Sequence, residues 1–243
     1  MYKKEFDEKG FLSNYVFTHR EEVLVTYLSE FSECGVISAR AQNLIVNTAV
    51  SRSDPSLVCA FLFAERTVRT CQAAIRLCEI GLVQEAQVLA RTALETLFHS
   101  SALLSKPEVF ESIQSNDDKE GNKFAASILK DLPADKVSPE DEKYLLDMVG
   151  RSSGNTFSVY DSAKIAGLLD LYTIQYRFLS ALAGHATLRS LDRSFAPDNS
   201  KYEFYMGPTT NQLELTLGII SNCLDVTVRN LKKVGEMTRL NSK

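Results

Sequence analysis

This chain has little of what usually announces a chemistry. None of its apolar runs approaches the roughly 18 residues that a membrane-spanning helix needs, so no membrane partner is expected. The opening residues Met1-Tyr2-Lys3-Lys4-Glu5-Phe6-Asp7-Glu8 are charged where a secretory signal requires a long apolar stretch, and a cytoplasmic location is expected. A phosphate-cradling GxxxxGK[ST], a GxGxxG after a strand, an HExxH and a GxSxG elbow are all missing. Their absence removes the signatures of ATP, NAD, zinc-peptidase and hydrolase sites, and no cofactor is expected. There are three histidines, His19, His99 and His185, and none follows a Glu by three residues, so a carboxylate-bridged di-metal bundle lacks its ligands.

Cysteine is sparse and odd in number. Cys34, Cys59, Cys71, Cys78 and Cys223 sit mostly inside apolar helical runs, with no CxxC pair or nearby His to complete a zinc set. They read as reduced core thiols, and no metal site is expected. Neither charge sign dominates: 27 Lys+Arg stand against 31 Asp+Glu. That balance argues against a general pull on nucleic-acid phosphates, so DNA is not an expected partner, while a local basic face and RNA stay open. At 243 residues the chain is long enough to bury a core without disulfides or metals.

What the chain has is helical periodicity. Thr18-His19-Arg20-Glu21 has the form of a capping box, and a helix over about 19–33 comes next, with Val23, Tyr27, Leu28 and Phe31 inward. Gly35 reads as its stop, and a second helix runs to about Arg52, ended by Ser53-Asp54-Pro55. From Ser56 to Ile80 the apolar period holds for seven turns, Gly81 breaks it, and Leu82 to about Leu104 resumes it, the pattern of an antiparallel helical hairpin. Pro107 can open another helix, the polar run 114–123 is either a loop or an exposed helical face, and Ser138-Pro139 starts a helix that Gly150 stops. A helix over 162–183 carries two apolar stripes and is expected at the centre, 194–208 reads as a long surface loop, and 209–240 as the closing helix. The fold class is therefore all-α, a multi-helix bundle with long antiparallel helices. One helical domain spans 1–243, with a smaller helical insertion allowed at 107–160.

Arg91, Glu95 and His99 recur every four residues and share one side of the 82–104 helix. Arg before Glu is the weaker order for an i, i+4 pair, so stability explains it poorly. The wheel also fits an ordinary solvated face, because Leu82, Ala86, Leu89, Ala90, Ala93, Leu94 and Leu97 occupy the opposite half. His185 comes after the 162–183 helix at the loosened Gly184, as either a capping residue or a functional imidazole. Tyr172, Tyr176 and Ser180 read chiefly as packing residues whose hydroxyls need partners wherever they are buried.

Two blocks, Glu85-Ala86 with Ala90-Arg91-Thr92-Ala93-Leu94-Glu95, and Tyr176-Arg177-Phe178-Leu179-Ser180 with His185, resemble the bacterial helical domain-of-unknown-function family numbered 5677. Its members pair an Arg-x-x-x-Glu helix with a later Ser-x-x-x-x-His segment, and often place Pro after the histidine where this chain has Ala186. The resemblance implies that Arg91, Glu95, Ser180 and His185 converge between two packed helices. It also implies a component of bacterial stress or phage-defence systems.

Two functions are expected on this basis. One is an interaction or effector module that binds a protein partner or itself, with a polar pocket of Arg91, Glu95 and His185 supported by His99, Tyr176 and Ser180. The alternative is a metal-independent ribonuclease in which Arg91 stabilises phosphate charge and His185 moves a proton. Against the latter, such nucleases typically keep Arg and His four to six residues apart on one helix, whereas Arg91 to His99 and Arg177 to His185 are both longer.

Overall fold

Two long helices meeting at a glycine organise the chain. The computed structural model describes residues 2–133, 136–150, 156–182, 195–196, 203–204 and 207–240. In chain order the helices are α1 (Tyr2–Lys9), α2 (Tyr15–Thr26), α3 (Leu28–Asn47), α4 (Pro55–Glu79), α5 (Val83–Ser105), α6 (Val109–Asp131), α7 (Pro139–Val149) and α8 (Val159–Ile165). Beyond them lie α9 (Leu169–Leu171), a π-helical turn (Tyr172–Tyr176), α10 (Arg177–Leu182) and α11 (Leu213–Leu240). The protein is all-α. Two-residue strands β1 (Phe195–Ala196) and β2 (Glu203–Phe204) pair antiparallel within the stretch expected as a loop, with Phe195 opposite Phe204.

The α4–α5 hairpin forms where the sequence signals it. Asp54 caps α4 by accepting from the Leu57 amide at 2.9 Å, with Pro55 in the first turn, where its missing N–H costs nothing. Gly81 takes φ +78°, a left-handed conformation that lets α5 fold back. Ala60, Ala64, Ala74, Ala86, Ala90 and Ala93 are buried along the two helices, and such small side chains let them approach closely. α11 closes the bundle against α3, α4 and α5, contributing the buried Leu217, Ile220, Leu224 and Leu231. A smaller cluster of Ala60, Ala102, Leu103, Val109 and Ile113 seats the base of α6. All five cysteines are free thiols, four of them buried and Cys59 half-buried. Burial pushes Cys34 and Cys78 up to about 12.

Several boundaries differ from the sequence reading. Thr18 lies inside α2, which starts at Tyr15 with no side-chain cap, so the expected capping box does not form. Gly35 sits within α3, and the break falls at Tyr27 instead. One helix glycine costs only about 1 kcal/mol, which twenty residues with Phe31, Cys34 and Ala41 inward outweigh. The polar run 114–123 is helical throughout. The helix expected over 162–183 is broken: α8 ends before Gly167, at φ +68°, and the π turn shifts the helical phase of α10. In consequence Ile174, inside the helix expected at the centre, is 69% exposed, and the centre of the bundle is taken by α5. Among the described residues no helix is long and apolar enough to cross a membrane.

Candidate functional site

The segment from α8 to α10 lies against α5 and covers part of the Arg91 face. Ser158 and Asp161 start α8 with a capping box, and Gly167 turns the chain so that the π turn reaches α5. Tyr172 and Tyr176 stack with centroids 5.0 Å apart, and each packs on the buried Phe98 of α5 at 6.1 Å. Tyr176 is thereby placed over Arg91, whose guanidinium carbon is 4.9 Å from the ring centroid.

A closed polar network results. Arg91 Nε donates to Ser180 Oγ at 3.0 Å, and Arg91 Nη2 donates to Tyr176 Oη at 2.9 Å. Arg91 Nη1 lies 3.2 Å from Glu95 Oε1. Tyr176 Oη in turn donates to Glu95 Oε1 at 2.9 Å, and Ser180 Oγ donates to the Tyr176 carbonyl at 2.8 Å. The Arg91 and Glu95 side chains retain only 20% and 25% exposure, which overturns the solvated-face reading. Burial, with the Glu95 carboxylate beside it, pushes the Tyr176 phenol up to about 12 despite Arg91. Tyr176 therefore stays protonated at neutral pH and acts as a donor to Glu95.

His99 shares the helix but not the network. Its Nδ1 shares a 2.8 Å hydrogen bond with Ser162 Oγ of α8, and its ring packs on Phe63 at 5.3 Å. Ser162 is fully buried, so this pair ties α8 to α5 and offers no accessible nucleophile. Burial holds the His99 imidazole below its ordinary value, against the pull of Glu95. His185 lies outside the described residues. Among the described residues no group of three or more His, Cys, Asp or Glu is arranged to hold a metal.

Residues 57–202 match the model of a family of unknown function, DUF5677. The chain belongs to this family. The match runs from α4 past α10, so Arg91, Glu95, His99, Tyr176, Ser180 and His185 all fall within it, while α1–α3 and α11 lie outside. No curated protein and no solved structure matches the chain. Arg91 and Glu95 were legible in the sequence as a pair, and Ser180 joins them as the resemblance implied. Tyr176, read mainly as packing, is the centre of the network. Its signal was the need of a buried phenol for a partner.

The low-held His99 imidazole makes stability depend on pH. An imidazole held low in the fold binds its proton more readily in the unfolded chain, so its contribution is intact above about pH 6.5 and is lost as pH falls below that. His19, also lowered by burial, acts in the same direction. The melting temperature should fall between about pH 7.5 and about pH 5.5, and His99→Gln should reduce that fall. An unchanged pH dependence in the variant would count against a neutral, half-buried His99.

Proposed function

We propose that this DUF5677 member is a helical interaction or effector module whose Arg91 cluster is structural. One observation carries the reading. Arg91 spends its Nε, Nη1 and Nη2 on Ser180, Glu95 and Tyr176, so its charge is matched within the chain rather than held ready for a ligand phosphate. The network pins the π turn and α10 onto α5. A place in a bacterial stress or phage-defence system, in the cytoplasm and with a protein partner, is part of this proposal, and its support is the family resemblance.

The ribonuclease alternative asks Arg91 to face phosphate while an imidazole moves a proton. Incubating total RNA with the wild-type protein, Arg91→Ala and His185→Ala separates the two. Equal and negligible cleavage by all three is expected. RNA breakage by the wild type that either substitution abolishes would overturn the structural reading and establish the nuclease.

A further inference from the structure

The α6–α7 hairpin is attached to the bundle at one end and leaves most of its length uncovered. Val109 and Ile113 anchor its base, Asn116 accepts from the Phe157 amide and Lys119 donates to Thr156, and beyond these α6 packs chiefly on α7. At 23 residues, α6 is about 34 Å long. From 114 to 149 the fully buried side chains among the described residues are Ala125 and Leu145, where the two helices face each other. Met148 of α7 lies against Gly121 of α6. Phe124 and Tyr144 are 61% and 60% exposed on the same two helices.

Their placement is one-sided. Taking about 100° per residue, with Gly121 and Ala125 of α6 facing Met148 and Leu145 of α7, Phe124 lies about 80° and Tyr144 about 70° off the line joining the axes, on the same side. Half-buried Ile128 lies between Phe124 and that line. Leu146 falls on the other side. The charges around these two rings are acidic, since Asp117 and Asp131 flank Phe124 and Glu140 flanks Tyr144, whereas Lys119, Lys123 and Lys130 turn to the back of α6, away from α7, and Asp118 and Glu142 fall on the Leu146 side. Between 109 and 149 the sequence has ten Asp/Glu and five Lys, a net of −5, against −4 for the whole chain. The remainder, with 22 basic and 21 acidic residues, is close to neutral.

We propose that the Phe124–Tyr144 side of the α6–α7 hairpin docks a basic amphipathic helix of a partner protein. Such a helix would lay its apolar stripe along Phe124, Ile128 and Tyr144, completing a three-helix layer, and set its lysines or arginines against Asp117, Asp131 and Glu140. A second copy of this chain fits less well, because it would bring the same acidic face against itself. This inference rests on the interaction-module reading, but the RNA experiment decides that reading without touching the hairpin.

The test titrates the full-length protein into a fluorescein-labelled Leu/Lys amphipathic helical peptide and into a Leu/Glu peptide of equal length. The Lys peptide should bind at least about tenfold more tightly and weaken as salt is raised. Phe124→Ser combined with Tyr144→Ser should cost about tenfold in affinity, while Leu146→Ser on the other side should stay within about twofold. All three side chains are exposed, so the variants should melt like the wild type. Equal binding of the two peptides, or an equal loss from Leu146→Ser, would overturn the proposal. So would a dimer in light scattering that Phe124→Ser dissolves, since that would assign the face to a second copy.

Discussion

Gly81→Ala should destabilise the protein by about 3 kcal/mol, lowering the melting temperature by about 10 °C. Two costs add at this position. The residue sits at φ +78°, where a Cβ costs about 1–2 kcal/mol. The space is also occupied, because an added Cβ would lie 2.6 Å from Pro208 Cβ, 2.8 Å from Pro208 Cα and 2.9 Å from His19 Nε2. The Thr209 amide donates to the Gly81 carbonyl at 3.0 Å, so the approach to α11 is fastened to this corner and cannot retreat freely. Gly218→Ala supplies the control. It lies in α11 with nothing within 4 Å of the added methyl, and should stabilise by about 0.5–1 kcal/mol. Thermal melts of the two variants should move in opposite directions. A Gly81→Ala protein as stable as the wild type would mean that the corner is open in solution.

The elements legible in the sequence were those whose signals are local. The α4–α5 hairpin was read to within a residue at each end, because Asp54-Pro55, Gly81 and an unbroken apolar period each act over a few bonds. Ser138-Pro139 was read correctly as a start for the same reason. Gly35 misled because a glycine stops a helix only when the chain beyond it has somewhere else to pack. The continuous helix expected over 162–183 failed in the opposite sense. The Ser158-x-x-Asp161 box and Gly167 together spell a short helix with a left-handed exit, but the apolar stripes on either side suggested continuity. The site inherits that error. Arg91 and Glu95 could be paired from their spacing, yet whether they face water depends on what lies above them, and the covering element is placed by a left-handed glycine and a π turn. No short-range pattern encodes that turn, so Tyr176 as the hub and Ser162 as the partner of His99 emerged only in three dimensions.

Phe98→Ala should cost about 3–5 kcal/mol, the range for emptying a fully buried phenylalanine site. Its diagnostic effect should be spatial. Phe98 is the surface on which Tyr172 and Tyr176 rest, and Tyr176 holds both Arg91 and Glu95 through one hydroxyl. Without the ring beneath them the two tyrosines lose their backing. The Arg91–Glu95 pair that remains is in the weaker helical order and can turn outward to water. Amide exchange should therefore accelerate across 169–182 well beyond its acceleration in α4, which keeps its packing on α11, with Cys71 against Cys223. If protection falls equally in both regions, Phe98 supports the bundle as a whole and the 169–182 segment has no separate dependence on it. If the loss concentrates in 169–182, that segment is a distinct cooperative unit latched to α5.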